Sequence, residues 1–576
     1  MSIAREGTPE GELSALLTAV SGLRDQVADS TLPLTLPGAD AAARTRVELL
    51  NQLDDYVLPR LRSLDAPLLA VVGGSTGAGK STLVNSIVGS VVTRPGVLRP
   101  TTRSPVLVHH PNDARWFVGD RVLPGLGRVT GGDAFAADGD TSAVRLVSAA
   151  TLPAGLALLD APDIDSVVSS NRDLAAQLLS AADLWLFVTT AARYADAVPW
   201  ALLRQASERG TSIAVVLDRV PPEAVAEIRD HLASMLKEQG LSLAPIFTVR
   251  EVPLETGGLV GAEEIGPLKQ WLTALAQDAR ARGMVVRHTL SGALDSIDSR
   301  IEQLAEATAE QTSATRALSK VADTAYASAA AGVQKGMNDG TLLRGEVLAR
   351  WQEFVGTGEF FKQVESTVSR LRDRMVAMVK GQPAPAAELG EALHSGVAAL
   401  ITAEAASAAS TTVRSWRGMP GGPLLLAQYP HLVSSSPDFD QQVQHLVREW
   451  QGDVLELVRS EGQDRRTTAK VAAYGVNGVG VVLMLVAFAH TGGLMGAEVG
   501  IAGGTAVLGQ KLLEAIFGDQ AVRSLAAKAR ASLHDRVYEL FGAEAGRYQA
   551  AVESVEVARD QARRLTAAAL GVKAAR

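Results

Sequence analysis

The segment LLAVVGGSTGAGKSTLVNSIVG, residues 68–89, is the strongest constraint on the fold of this 576-residue chain. An apolar run short enough for a buried strand leads into a glycine-rich turn, and a pattern suited to a helix follows. Comparable apolar runs recur up to about residue 280, at PVLVHH, GLALLDAP, LWLFVTT, SIAVVLD and PIFTV, with helical stretches between them. Strands that alternate with helices predict a mostly parallel sheet that is covered on both faces.

Helical periodicity dominates the rest of the chain. Residues 10–65 predict two helices, and the strand-like runs disappear between about residues 281 and 470. The predicted fold is therefore an α/β domain with a mostly parallel sheet plus a long α-helical bundle or stalk. We expect five parts, which are N-terminal helices that pack with the stalk (1–66), the α/β domain (67–280), the helical stalk (281–470), an apolar hairpin (471–510) and C-terminal stalk helices (511–576).

The composition excludes several classes of site. The chain has no cysteine, so a disulfide scaffold, a cysteine zinc site and thiol catalysis are all excluded. The net charge is −8, aromatic residues make up 4%, and Lys and Arg are scattered, which argues against nucleic acid as a partner. The first residues lack the basic start and apolar core of a secretory signal.

The glycine-rich turn carries a phosphate-binding motif. Gly74, Gly79, Lys80 and Ser81 match G-x-x-x-x-G-K-[ST] between a strand and a helix. Glycines let backbone N–H groups converge on phosphate oxygens, and the helix N-terminus adds the positive end of its dipole. Lys80 is expected to reach the β- and γ-phosphates, and Ser81 to offer its hydroxyl to Mg²⁺. The alternative is a glycine-rich turn that binds nothing. The predicted nucleotide-binding residues are Gly74, Ser75, Thr76, Gly77, Ala78, Gly79, Lys80, Ser81, Thr82, Asp218 and Arg219.

Two further motifs follow in chain order. RPTTRSP places Thr101 and Thr102 before the strand PVLVHH, and LLDAPD places Asp160 at the end of a buried strand. This order resembles the translation-factor-related GTPases, whose threonine senses Mg²⁺ and the γ-phosphate and whose aspartate holds Mg²⁺ through water. The resemblance implies that Lys80, Thr102 and Asp160 are catalytic and that Ser81, Thr102 and Asp160 bind the metal. For Thr102, a plain turn before the strand is the alternative.

The sequence departs from the GTPase pattern at several positions. Related proteins carry glycine where this chain has Asp163, whose carboxylate would face a phosphate unless it is turned away. Ile164 stands where Ras-like proteins place a water-positioning glutamine, so hydrolysis should be slow without a helper. The base-reading motif Asn/Thr-Lys-x-Asp corresponds to DRVP, residues 218–221. Arg219 can stack its stem on a base, but Pro221 replaces the aspartate that pairs with guanine, and Asp218 is alternatively the cap of a turn.

An ATPase is the rival interpretation of the same loop. GGSTGAGKST also resembles the Walker A motif of ABC transporter ATPases. Those proteins need a Leu-Ser-Gly-Gly-Gln signature and a glutamate directly after the Walker B aspartate. Here Ala161 follows Asp160, and the nearest approach to the signature, LSGAL from Leu290, lies outside the α/β region. GTP and Mg²⁺ are therefore the predicted cofactors, and an ABC-like ATPase remains the alternative.

An apolar pair of segments lies near the C-terminus. Residues 471–489 carry no charge and would span roughly 29 Å as a helix, close to the roughly 30 Å of a hydrocarbon core. Residues 494–508 are shorter, include Glu498, and place glycines at 496, 500 and 504 for close helix contact in lipid. Arg and Lys residues flank the pair, which predicts both ends on the cytoplasmic side. The alternative is a hairpin buried in the helical bundle.

The order of these parts resembles that of bacterial dynamin-like proteins, and the nucleotide domain is similar to Era-like bacterial GTPases. The resemblance implies a GTPase that binds and slowly hydrolyses GTP to drive stalk movement, self-association or membrane remodelling. It implies membrane lipid as a partner, a homodimer or a hetero-oligomer with a related GTPase, and a place at the cell inner membrane with both termini cytoplasmic. A nucleotide-gated membrane scaffold with little hydrolysis is the second interpretation.

Overall fold

The computed structural model describes residues 9–93, 105–130, 142–165, 169–255, 257–338, 385–461 and 519–576. The predicted switch residues Thr101 and Thr102 and the predicted hairpin 471–510 lie outside these ranges. Contacts divide the chain into two compact units. The first comprises Met1–Leu32, Pro37–Glu310 and Val557–Arg576, and the second comprises Pro33–Leu36 and Gln311–Glu556. The five parts expected from the sequence remain predictions.

An eight-stranded sheet forms the centre of the first unit. Its strands are β1 (Leu68–Gly74), β2 (Val106–His109), β3 (Gly127–Val129), β4 (Ala143–Ser148), β5 (Leu156–Asp160), β6 (Leu184–Thr190), β7 (Ser212–Val220) and β8 (Ile246–Arg250). The strand order is β3-β4-β2-β5-β1-β6-β7-β8, and the β2–β5 pair is antiparallel while the other neighbouring pairs are parallel. All six apolar runs predicted from the sequence form strands, and β3 and β4 are additional.

The helices cover the sheet and build the rest of both units. In chain order the described α-helices are α1 (Pro9–Ala28), α2 (Ala39–Gln52), α3 (Leu58–Arg62), α4 (Lys80–Val88), α5 (Ala114–Phe117), α6 (Ser169–Ser180), α7 (Ala197–Glu208), α8 (Val225–Glu238), α9 (Ala262–Gln277), α10 (Ala279–Asn338), α11 (Pro385–Arg417), α12 (Gly422–Gln428), α13 (Phe439–Glu461), α14 (Asp519–Glu553) and α15 (Gln561–Ala575). One turn of π-helix, Leu53–Val57, joins α2 to α3. The predicted fold class, a mostly parallel α/β domain with a long helical part, is confirmed.

The core of the first unit follows the period-two alternation of its strands. Leu69 and Val71 of β1 belong to one hydrophobic cluster, while Leu68, Ala70 and Val72 belong to another. All seven residues of β1 are buried, as a central parallel strand requires. A third cluster joins α1–α3, the first part of α10 and α15, so the N-terminal helices pack against sequence-distant helices within this unit.

The second unit is helical in its described residues. Its core includes a group of buried aromatic rings, Tyr326, Trp416, Phe541 and Tyr548, which are linked by edge and tilted contacts. The indole of Trp416 donates a hydrogen bond to the carbonyl of Leu318 at 3.1 Å. Sequence-distant helices thus meet through the large side chains that an alanine-rich region supplies only sparsely.

One helical stretch among the described residues, Glu391–Arg417, has the length and apolar composition of a membrane span, with a mean hydropathy of 1.2. Its side chains at Val397, Ile401 and Trp416 are buried in the helical core. A helix in a protein core can have the same length and apolar composition, and these three side chains are in contact with the rest of the helical core.

Candidate nucleotide-binding site

The loop between β1 and α4 lies at the carboxyl end of the central strand. Gly77 and Gly79 adopt φ values of +74° and +90°, the left-handed region that favours glycine. A Cβ at Gly74 would lie 2.0 Å from the carbonyl oxygen of Val188 on β6, so only glycine fits there. Ser75 and Ala78 are buried, and Thr82 lies in the first turn of α4. The predicted loop residues therefore form one tight turn leading into a helix N-terminus.

Lys80 points back into this loop and is 5% exposed. Its ammonium donates hydrogen bonds to the carbonyls of Gly74 at 3.0 Å and Ser75 at 3.1 Å. The third partner is the carboxylate of Asp163, which is itself 6% exposed. The Asp163 carboxylate is thus directed at Lys80, whose positive charge neutralises it. From the sequence alone, this carboxylate would face a phosphate unless it were turned away.

Asp160 ends β5 beside the loop and is fully buried. Its Oδ2 accepts hydrogen bonds from the hydroxyls of Ser81 at 2.7 Å and Thr93 at 2.8 Å. Its Oδ1 is buried and has no hydrogen-bond partner among the described residues. Burial raises the pKa of the Asp160 carboxyl, because the charged form loses its hydration.

These oxygens suit a magnesium ion. A buried carboxylate with one unpartnered oxygen next to a serine hydroxyl supplies the oxygen ligands that Mg²⁺ prefers, and a cation there would offset the cost of burying the charge. Of the three predicted metal ligands, Ser81 and Asp160 are in direct contact, while Thr102 lies beyond the described ranges. Thr93, which was not predicted, contacts the same carboxylate. No sequence motif marks this threonine.

The candidate base-reading residues end β7. Asp218 Oδ1 accepts a hydrogen bond from the backbone N–H of Arg219 at 2.9 Å, and burial raises the pKa of Asp218. A Cβ at Gly79 would lie 2.3 Å from Asp218 Oδ2, so this carboxylate lies directly against the loop. Arg219 has a φ of +51°, unusual for a residue with a side chain, and its guanidinium donates to the carbonyl of Gly77. Recognition of guanine by this pair remains a prediction.

A second polar cluster, formed by Thr76, Asp165 and Arg193, fixes the part of the loop around Thr76. Asp165 Oδ1 accepts from the Thr76 N–H at 2.6 Å and from its hydroxyl at 2.7 Å. Arg193 donates to Asp165 Oδ2 and to the Thr76 carbonyl, both at 2.9 Å, and also to Asp196 at 2.8 Å. Burial alone would raise the pKa of Asp165, but the hydrogen bonds from Thr76 and Arg193 outweigh it and lower that pKa.

Sequence reasoning missed Asp165 and Arg193 as site residues. The only available signal was their position just after strands β5 and β6, because ligands of open α/β sheets bind at the carboxyl ends of the strands. The site as a whole gathers residues at the carboxyl ends of β1, β5, β6 and β7, which are neighbours in the sheet. The site offers backbone N–H donors, the buried ammonium of Lys80 and the buried carboxylates of Asp160 and Asp163. These are the groups that a phosphate chain with bound magnesium requires.

Comparisons with known proteins give structural neighbours only. No protein-family model matches the chain, and no curated protein matches it. One solved structure, of an oligomerised bacterial dynamin pair described as sensing and tethering membranes over long range, is 10% identical with a TM-score of 0.47, covering 99% of this chain and 96% of its own. A second structure from the same system is 10% identical with a TM-score of 0.42, covering 99% and 100%. Both TM-scores lie below 0.5, which leaves the activity to be inferred from the residues of this chain.

Proposed function

We propose that the chain is a magnesium-dependent nucleoside triphosphate-binding protein, a GTPase of the dynamin-like kind. The observation that carries this proposal is the contact between Ser81 and Asp160 at 2.7 Å beside the Lys80 loop, with Asp160 Oδ1 buried and without a partner in the part of the chain that the structure describes. A carboxylate left half-satisfied in a buried site is costly unless a ligand completes it. A glycine-rich turn that binds nothing has no need of this arrangement.

The roles of the residues follow from their positions. The loop N–H groups and the α4 N-terminus attract phosphate oxygens, and Lys80 neutralises their charge. Ser81 and Asp160 would hold Mg²⁺, which supplies charge neutralisation and orientation of the phosphates when bound. Thr102 is proposed as the further ligand.

Guanine is the proposed base. Asp218 and Arg219 both lie against the loop, where a base would follow the phosphates. A carboxylate accepts hydrogen bonds from the N–H edge that guanine presents, although Pro221 cannot supply a second acceptor side chain. We therefore propose that the chain binds GTP in preference to ATP, with modest selectivity.

Hydrolysis is proposed to be slow in the isolated chain. Ile164 is 3% exposed and apolar, so its side chain cannot orient an attacking water. Ala161, which follows Asp160, is fully buried and offers no base of the ABC type either. A nucleotide-gated scaffold is the second candidate, favoured by the ion pair that withdraws Lys80 from phosphate.

The membrane role is proposed from the sequence. The hairpin 471–510, with its positively charged flanks, would insert from the cytoplasmic face of the inner membrane, with both termini on that side. Nucleotide-dependent dimerisation or hetero-oligomerisation with a related GTPase would then move the helical part and the bound membrane.

Nucleotide titration of the full chain tests the proposal. With Mg²⁺ present, GTP should bind more tightly than ATP, and Lys80→Ala should abolish binding of both because the loop loses the buried ammonium expected to neutralise the β- and γ-phosphates. The matched control is Lys237→Ala, which removes an exposed lysine from α8. Unchanged affinity in Lys80→Ala contradicts the site, and equal affinity for ATP contradicts the guanine assignment.

A further inference from the structure

We propose that Asp163 and Asp165 determine specificity between nucleoside diphosphate and triphosphate, by occupying loop groups that would otherwise bind phosphate. This inference rests on the proposed nucleotide function and extends it to the choice between the two nucleotide states. The segment Asp163-Ile164-Asp165 directs two carboxylates at the loop from one side.

Asp163 takes the last available donor of Lys80. An ammonium has three protons, and here they meet the carbonyls of Gly74 and Ser75 and the carboxylate of Asp163. The two carbonyls belong to the loop itself, whereas Asp163 belongs to the segment after β5. The partner that a phosphate oxygen would replace is therefore Asp163.

Asp165 accepts hydrogen bonds from two further donors of the loop, both on Thr76. The N–H and hydroxyl of Thr76 both donate to its Oδ1, at 2.6 Å and 2.7 Å. Arg193 holds the other carboxylate oxygen at 2.9 Å, so the carboxylate is anchored from both sides. An anion that binds the loop at Thr76 must therefore compete with the Asp165 carboxylate, which already accepts hydrogen bonds from three donors.

The competition is unequal for the two nucleotides. In loops of this motif the backbone cradles the α- and β-phosphates, while the lysine reaches the β- and γ-phosphates. A triphosphate therefore depends more heavily on Lys80 and brings more negative charge toward Asp163 and Asp165. A diphosphate can bind the backbone donors while the Lys80–Asp163 ion pair persists.

The backbone couples this segment to the site. The N–H of Ile164 donates to the carbonyl of Gly74 at 3.4 Å, and the N–H of Ala161 donates to the carbonyl of Val72 at 3.2 Å. These bonds hold the segment beside the loop, so the two carboxylates stay within reach of the phosphate position.

The test measures dissociation constants for GDP and a non-hydrolysable GTP analogue at fixed Mg²⁺ and ionic strength, in wild type, Asp163→Asn and Asp165→Asn. An amide keeps the shape but cannot compete as an anion, so each variant should bind the analogue about tenfold or more tightly, with a change below about threefold for GDP. The two variants act at separate donors, so a folding defect in one leaves the other informative.

Asp196→Asn is the matched control. It removes a carboxylate from the same Arg193, at 2.8 Å, but from a residue without a bond to the loop. It should leave the ratio of the two dissociation constants within about twofold. An equal gain in Asp196→Asn would show a general charge effect and overturn the inference, as would an unchanged ratio in both test variants.

The outcomes separate this inference from the proposed function. Tight magnesium-dependent binding of GTP by wild type with no effect of Asp163→Asn or Asp165→Asn would leave the nucleotide function intact and overturn only the specificity role. Absence of binding by wild type and by all three variants would overturn both. Binding of the analogue by the two variants alone would support the specificity role in its strongest form.

Discussion

Thr93 and Ser81 donate their hydroxyls to the same oxygen of Asp160, at 2.8 Å and 2.7 Å. Asn85 of α4 fixes the threonine, since its side chain accepts from the Thr93 N–H at 3.0 Å and donates to the Thr93 carbonyl at 2.7 Å. The chain just after α4 is thereby tied to the carboxylate proposed to hold Mg²⁺. The two hydroxyls orient that carboxylate, and Oδ1 is the oxygen left for the proposed Mg²⁺.

Removal of the Thr93 hydroxyl should weaken magnesium-dependent binding of the triphosphate. Thr93→Val keeps the side-chain shape but loses a hydrogen bond worth about 1.5–3 kcal/mol when its acceptor is charged. We expect the Mg²⁺ concentration for half-maximal triphosphate binding to rise about fivefold or more, as measured by magnesium titration of nucleotide fluorescence. Thr93→Ser should stay near wild type, and an equal loss in both variants would contradict a role for the hydroxyl.

Gly79→Ala should abolish nucleotide binding. The new Cβ would meet Asp218 Oδ2 at 2.3 Å, in a backbone conformation with φ of +90° that disfavours any side chain. Gly89→Ala is the matched control, because Gly89 has a φ of +81° but no atom of the described residues lies within 4 Å of an added Cβ. Both variants should lose about 1–2 kcal/mol of folding stability from the backbone alone. Nucleotide binding by Gly79→Ala at wild-type affinity would contradict the loop geometry.

The ion pair between Arg60 and Asp183 should contribute strongly to the stability of the first unit. Both side chains are buried, and Asp183 also accepts from the Leu69 N–H at 2.8 Å. Arg60→Met leaves a buried carboxylate without a counter-charge, which should cost about 3–5 kcal/mol by chemical denaturation. Addition of Asp183→Asn should recover part of this loss, since the amide oxygen still accepts from Leu69.

The control for that ion pair is an exposed one. Arg564 lies 3.5 Å from Asp560, and both side chains are nearly half exposed. Arg564→Met should therefore cost at most about 1 kcal/mol. Similar losses in Arg60→Met and Arg564→Met would contradict the importance of burial.

Asp55 should make stability fall as the pH rises. Burial raises its pKa from 3.8 to about 6, against the effect of a hydrogen bond from Gln177 at 2.8 Å. Because the folded-state pKa is the higher one, the folded chain binds more protons between about pH 4 and 6 than the unfolded chain does. Ionisation of Asp55 therefore removes up to about 2–3 kcal/mol across this window, and the loss persists above it.

Asp55→Asn tests this dependence. The amide keeps an acceptor for Gln177 and cannot ionise, so the variant should be more stable than wild type at pH 7.5 and should lose that advantage near pH 4. The measurement is the difference in denaturation midpoint between the two proteins at four pH values. Asp29→Asn, at an exposed position, should show no such crossover. A parallel pH profile in wild type and Asp55→Asn would exclude Asp55 as the source.

The hairpin proposal predicts behaviour in fractionation. The full chain should sediment with membranes and resist high salt, because burial of apolar surface is not screened by ions as headgroup attraction is. Replacement of Leu483 and Leu485 by arginine should release it, since a charge at bilayer depth costs about 3 kcal/mol. Leu243→Arg, at a position 95% exposed, is the control. Release of wild type by salt or carbonate would make the segment a hairpin of the helical core instead.

Local patterns in the sequence predicted much of the fold. The apolar runs of β1, β5, β6 and β7 are each long enough to mark a strand buried on both faces, and the glycines of the loop are required by local backbone geometry. The strands β3 and β4 were missed because the first has only three residues and the second is partly exposed. The antiparallel direction of β2 could not be read either, because an apolar run looks the same from both ends.

The sequence by itself determined that a phosphate-binding loop joins a buried strand to a helix, because strand length, glycine placement and helical period are properties of neighbouring residues. Only the tertiary structure decided which charges meet there. Asp163 lies 83 positions after Lys80, and Asp165 lies 89 positions after Thr76, so neither contact leaves a periodic signal. Both arise because β5 pairs beside β1 in the sheet, and strand order is set by packing over the whole unit rather than by any local pattern.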